Sequence, residues 1–337
     1  MTTPLDTVRT DWHRRARRST LWSSVAGLGL TLAAAAVVRS WRDDLPARVA
    51  THWGPDGTAD ATMTVTGLVT AVLALTVGLL ALFAVVGLVW GSSASTRRMA
   101  AGSAVWSGGL GATLLLVGAG AQRGLDDASS ATLSGWAVAA TILLPLVPAV
   151  VAALVVPGDA RQPADGPVPP EAARTHLRAD ERAVWLRTAQ GGTGLAVGAA
   201  AVVVTTVLAV LTRQWPLLLV PAVLTLLFAA MFAFRVRVDA TGLTARSVLG
   251  WPGTHVPADE VVAASVVHVD PFREFGGWGW RVGFRGGRIG IVLRAGEALL
   301  VERTGERSLV VTVDDAATGA ALLNTVADRS RENRTPH

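Results

Sequence analysis

Six windows along the chain are apolar for about twenty residues each and carry no ionised side chain. They run over residues 19–38, 65–90, 102–122, 134–156, 191–212 and 215–234. A hydrocarbon core of roughly 30 Å takes about 20 helical residues at about 1.5 Å each. One such window fits a buried helix of a soluble domain. Six in one chain leave a soluble fold too little interior to hide them. The pattern therefore predicts a polytopic α-helical protein with about six transmembrane helices. Beyond Phe234 the hydrophobic period shortens from that of a helix to two. Val236, Val238, Leu243, Ala245 and Val248 alternate with polar residues around the turn Asp239-Ala240-Thr241-Gly242. Residues 261–269, 280–284, 288–293, 298–303 and 308–313 read as further strands separated by glycine turns. Asp314 and Asp315 then cap a final helix over 316–329, with Leu322, Leu323 and Val326 on its buried face.

This divides the chain into a basic N-terminal stretch (1–18), four spans with a long first loop (19–156, loop 39–64), a polar segment (157–190), two more spans (191–234) and a β-rich C-terminal domain closed by one helix (235–330). The polar segment opens PGDARQPADGPVPP, a flexible-linker composition, and residues 171–190 then read as a helix with Trp185 as an anchor at the membrane surface. Within residues 4–18, Leu5, Val8 and Trp12 share one helical face, a pattern for either a short helix on anionic lipid or a basic tail. The apolar run 19–38 exceeds a signal-peptide core and ends in Val37-Val38-Arg39, so it reads as a retained anchor.

Charge placement sets an expected orientation. Arg9, Arg14, Arg15, Arg17, Arg18, Arg97, Arg98, Arg161, Arg174, Arg178, Arg182 and Arg187 fall on one side, 12 residues in all; Arg39, Arg42, Arg48, Arg123 and Arg213, 5 residues, fall on the other. Arginine excess marks the cytosolic side. An even number of spans then places both termini in the cytosol of a cell-membrane protein. Composition narrows the chemistry further. There is no Cys, which removes disulfides, thiolate metal sites and a thiol nucleophile. Every basic residue is Arg, so neither a Schiff-base lysine nor a phosphate-loop lysine is present. From Arg235 onward 13 Arg face 12 Asp and Glu with no basic face, so nucleic acid is not an expected partner.

The most distinctive segment is the first loop, with Leu45-Pro46, His52-Trp53, Pro55-Asp56-Gly57 and Asp60. The prolines and Gly57 stiffen and turn it. His52 offers an imidazole to ligate a metal with Asp56 or Asp60, or to sense pH. One histidine and two carboxylates from one loop fall short of a zinc site, so neither a metal nor another cofactor is expected. Packing of His52 and Trp53 at the membrane interface is the plainer role. Pro46, His52, Gly57 and Asp60 resemble a bacterial membrane domain of unknown function, over about residues 19–90. That domain also occurs in SdpI-type toxin-immunity proteins. The resemblance implies protection against, or sensing of, a secreted peptide through His52, Trp53, Asp56 and Asp60. Residues 61–65 lack the basic residue that the family often carries there. The strand order of the C-terminal domain resembles bacterial pleckstrin-homology-like domains, which implies a bent sheet closed by a helix.

A second candidate is the segment 275–288, where Trp278, Trp280, Arg281, Arg285 and Arg288 stand among glycines. It offers a surface for anionic lipid or a cytosolic protein, against the simpler role of two packed hairpin turns. Within the six windows there is no Asp, Glu, Arg or His of the kind that transporters and proton relays use. The leading expectation is therefore a non-enzymatic envelope sensor, regulator or immunity-like protein that takes an extracellular peptide or other envelope ligand. A transporter or export subunit is one alternative. The other is a membrane enzyme on a lipid-linked substrate, which requires Asp126 and Asp127 to converge on His52.

Overall fold

The computed structural model describes residues 4–54, 59–178, 180–284 and 288–332, with side chains from Trp12 onward. Asp56, Gly57 and Arg285 lie outside the described residues. The chain divides into two compact units, a helical one (Arg9–Gly158 with Val203–Ala222) and a β-rich one (chiefly Asp159–Val202 with Val223 onward). Among the described residues six helical stretches are long and apolar enough to cross a membrane.

In the helical unit, α1 (Pro4–Ser40) runs unbroken out of the basic stretch, so residues 4–18 form no separate surface helix. A hairpin of β1 (Val49–Trp53) and β2 (Ala59–Met63) leads into α2 (Val65–Val89). The α2 N-terminus is capped by the Thr64 hydroxyl, which accepts from the Gly67 N–H. α3 (Ala94–Gly120) is capped in the same way by Ser93. It is the central helix, with 61% of its span buried against 33% or less for the others. It begins eight residues before its apolar window and takes in Arg97, which is 2% exposed and whose guanidinium donates to the carbonyls of Gly91 and Ser92. The glycines of α3 let its neighbours close in. Gly108 lies against the backbone of Gly27 on α1, and the Thr31 hydroxyl donates to the Gly108 carbonyl at 2.9 Å. Gly109 lies against Pro145.

α4 (Gly135–Leu143) and α5 (Leu146–Val155) form one span broken at Pro145. Proline has no N–H to give the carbonyl four residues back. That carbonyl belongs to Thr141, and the Thr113 hydroxyl of α3 donates to it at 2.9 Å. The kink is thus satisfied from a neighbouring helix.

The β-rich unit corrects several sequence expectations. The described residues of 171–190 form no helix. β3 (Trp185–Gln190) is a strand, and it pairs antiparallel with β4 (Ala233–Asp239). α6 (Gly192–Leu211) leaves directly from β3, and α7 (Leu219–Phe232) runs directly into β4. Gln190 and Ala233 are register partners. The domain is therefore discontinuous in sequence, and the last two apolar helices are inserted into its first hairpin. Ala233 and Phe234 belong to the strand rather than to the span. The Gly194–Gly198 pair of α6, whose spacing is common by chance in so Gly-rich a chain, seats the rings of Phe232 and Phe228.

β5 (Gly242–Ser247) and β6 (Gly253–Pro257) complete a four-stranded meander, order β3-β4-β5-β6. A second sheet follows from β7 (Val261–Val269), α8 (Pro271–Phe275), β8 (Gly279–Val282), β9 (Arg288–Val292), β10 (Gly296–Arg303) and β11 (Arg307–Thr312). Its order is β7-β10-β11-β9-β8, with β9 and β11 parallel. α9 (Ala316–Glu332) closes the core. Phe234, Val236, Leu243, Ile291, Leu299, Leu309 and Leu323 form one cluster from both sheets and the helix. The other face of β10 and β11 buries Leu300 and Val310 against Phe275 of α8.

Trp185 is in that core and not at a membrane surface. It is 4% exposed, lies against Gly319 of α9 and donates to Asp315 at 3.3 Å. Asp315 also accepts from Thr318 and Arg187. The Thr318 hydroxyl most of all, then Trp185 and Arg187, hold its carboxyl below the usual range against a desolvation that pushes upward. The expected linker is likewise anchored. Asp159 and Glu260 flank Arg307, Glu260 also accepts from Arg303 at 2.6 Å, and Arg161 donates to Asp259 at 2.9 Å. Further along, Val168 and Arg174 both donate to Asp328 of α9. Desolvation and the adjacent Arg303 pull the Arg307 guanidinium below its ordinary value, opposed by Glu260 and Asp159. The Pro/Gly composition is that of a linker, but its polar side chains have partners about a hundred residues away.

Candidate functional site

The hairpin β1–β2 is where the sequence concentrates its unusual residues. The pairing Val49↔Met63 and Ala50↔Thr62 shifts register twice before Trp53↔Ala59. Such irregularities re-aim side chains. The result sets His52 Nδ1 2.6 Å from Asp60 Oδ1, with side-chain exposures of 70% and 50%. A carboxylate at neutral pH only accepts, so the imidazole N–H donates. Two of the four residues that carry the sequence motif, His52 and Asp60, are thus a hydrogen-bonded pair on an open surface.

Beneath the pair the hairpin is held firmly. Gln122, just past α3, is fully buried. Its Oε1 accepts from the Ala50 N–H at 2.6 Å, and its Nε2 donates to the Ala50 carbonyl at 3.1 Å and to Gly118 at 2.8 Å. One amide side chain stands in for a missing neighbour strand. Trp53 is half-buried among Ala50, Ala128 and Ala131, and its indole N–H donates to the Ala131 carbonyl at 2.9 Å. Arg123 joins Asp44 at 2.8 Å and covers the Trp41 ring. Arg48 donates to the Thr62 carbonyl at 2.7 Å. Of the expected loop residues, Trp53 is therefore a packing anchor, and His52 and Asp60 are presented outward.

Among the described residues neither Asp126 nor Asp127 is a hydrogen-bond or ion-pair partner of His52. Asp127 turns to its own loop and accepts from the Ser129 N–H at 2.7 Å. That bond, then the Ser129 hydroxyl, lowers its pKa. Among the described residues no three His, Asp or Glu side chains gather as metal ligands. A His–Asp pair alone can hold an imidazole in one tautomer and orientation, and can offer a carboxylate to a cation.

The second candidate separates into parts. Trp280 packs edge-on against Phe234 at 5.9 Å and belongs to the core boundary. Trp278 meets Phe272 edge-on at 4.7 Å. Arg281 is exposed and donates to the Trp278 carbonyl at 2.7 Å. Arg288 lies 3.4 Å from Glu274 and so is partnered within the domain.

Gln122 was missed by motif reasoning. Its one signal is an amide closing an apolar window. Replacing it with leucine leaves both backbone groups of Ala50 unpaired in a buried place, a loss of about 2–4 kcal/mol. In a chain with no native cysteine, a Val49→Cys reporter, buried at 0% exposure, resists maleimide. Adding Gln122→Leu speeds its alkylation about tenfold or more. Compared with protein-family models, curated proteins and solved structures, the chain finds no match.

Proposed function

We propose that this chain is a multi-pass membrane sensor or immunity-like regulator, without catalytic activity of its own, whose β1–β2 hairpin recognises a cationic peptide at the outer face. The observation that carries the reading is the exposed His52–Asp60 pair on a hairpin anchored by Gln122 and Trp53. A rigid scaffold under exposed polar residues suits recognition. Asp60, half-exposed beside His52, offers a carboxylate that complements a cationic ligand. The resemblance of Pro46, His52, Gly57 and Asp60 to toxin-immunity proteins points the same way. The arginine balance supports an orientation with this hairpin outside and the β-rich unit in the cytosol.

The transport alternative gains no support from the spans. The hydroxyls of Thr31, Thr113 and Thr141 all donate to helix carbonyls, so these polar groups serve packing. To test the proposal, cells producing the wild-type chain, Asp60→Asn or His52→Ala at equal membrane levels are challenged with cationic envelope-active peptides. Loss of one charge-assisted contact, about 1.4 kcal/mol or more, lowers protection or signalling about tenfold. An unchanged response in both variants refutes the proposal.

A further inference from the structure

The insertion of α6 and α7 into the β3–β4 hairpin defines one end of the β-rich unit, where the apolar helices depart. Two loops gather at that end. Ser247 pairs with Phe234, and the Val248 N–H donates to the Ala233 carbonyl at 3.0 Å, so the turn after β5 sits beside the point where α7 becomes β4. That turn exposes Leu249 by 54% and Trp251 by 66%. The α8–β8 segment lies against the start of α6: a Cβ at Gly194 would be 3.1 Å from Trp278 Cβ. It exposes Phe272, stacked edge-on against Trp278, and Phe284, which lies over Gly276. Large apolar side chains on a soluble surface are usually scattered; here four are collected at one end.

The charges divide in the same direction. Arg235 and Arg246 are exposed and face each other across the β4–β5 ladder. Like charges directly opposite repel. Among the described residues neither guanidinium has an ion-pair or hydrogen-bond partner. Two residues further from the helices, Arg237 is paired with Asp239 at 2.7 Å. Uncompensated arginines beside exposed aromatic side chains are what a headgroup layer with anionic lipid would satisfy, the aromatics at the glycerol level and the guanidiniums on phosphate.

We propose that this end of the β-rich unit is a lipid-facing rim, in which Leu249, Trp251, Phe272 and Phe284 enter the headgroup layer of the bilayer that α6 and α7 cross, and Arg235 and Arg246 bind its anionic phosphates. The rim rests on the reading of α6 and α7 as membrane-spanning. It makes the domain a surface-bound body rather than one hanging free in solution.

Because the chain has no native cysteine, single cysteines at Trp251, Leu226 and Ala240 can carry an environment-sensitive fluorophore in full-length protein reconstituted into vesicles with depth-resolved lipid quenchers. Leu226 is an exposed position of α7, and Ala240 lies beyond the far end of β4, about 20 Å from Ala233 at about 3.3 Å per residue. The expected result is deep quenching at 226, shallow quenching at 251 and none at 240. With Arg235→Gln and Arg246→Gln, the added quenching at 251 that anionic lipid produces disappears. Quenching at 226 without any at 251 overturns the rim alone. Absence at 226 overturns the membrane-spanning reading and the rim with it. Quenching at 251 that ignores both lipid charge and the arginine substitutions overturns the phosphate-binding role.

Discussion

Asn324→Leu destabilises the β-rich unit by about 3–6 kcal/mol, a large part of what holds an ordinary domain together. Asn324 is fully buried in α9. Its Oδ1 accepts from the Ala264 N–H at 2.7 Å, and its Nδ2 donates to the carbonyls of Ala264 and Ala173, each at 2.9 Å. Ala264 lies on β7, the edge strand of the five-stranded sheet, opposite Val301. Its backbone groups point away from β10 and would otherwise be an open edge inside the protein. Leucine fits the volume but leaves three backbone groups unpaired. Each is worth about 1–3 kcal/mol when buried. The check is thermal unfolding in detergent, where the midpoint falls by about 10 °C or more. Thr325→Val is the comparison. It removes two bonds to Thr175 in a half-buried place and lowers the midpoint by less.

Gly108→Val breaks the contact between α1 and α3. A Cβ at Gly108 would stand 2.0 Å from the Gly27 carbonyl oxygen and 2.4 Å from its carbon. Both atoms are backbone, so no rotamer change relieves the clash. The helices must separate, and the 2.9 Å bond from Thr31 to the Gly108 carbonyl goes with the contact. Overpacking that side chains can absorb costs about 1–3 kcal/mol; against rigid helix backbone the expected loss lies at or above the top of that range. Gly118→Val on the same helix is the control, since a Cβ there meets nothing within 4 Å. Heating in detergent followed by size-exclusion chromatography shows the difference. Gly108→Val aggregates at a clearly lower temperature, and Gly118→Val behaves like the wild type.

The hairpin site illustrates how far local pattern carries. His52 and Asp60 are eight residues apart, close enough for a turn to bring them together, and they were singled out from the loop itself. Gln122, which holds that hairpin, is 72 residues from Ala50, and nothing local connects the two. Trp185 shows the opposite error. A tryptophan just before an apolar window has the signature of an interfacial anchor, yet this one completes a core most of whose members lie from Phe234 onward, across two helices of intervening chain.

The sequence by itself determined where this chain is apolar for the length of a bilayer and where its period drops to that of a strand. Both follow from side-chain hydrophobicity and backbone geometry over a few neighbouring residues. It also marked the position of the His–Asp loop. The tertiary structure alone decided that residues 159–190 join the β-rich unit, which glycines admit a neighbouring helix, and which buried amides complete a strand edge. Those outcomes depend on hydrogen-bonding groups and surfaces brought from up to 160 residues away, and such partners leave no periodic trace in the chain.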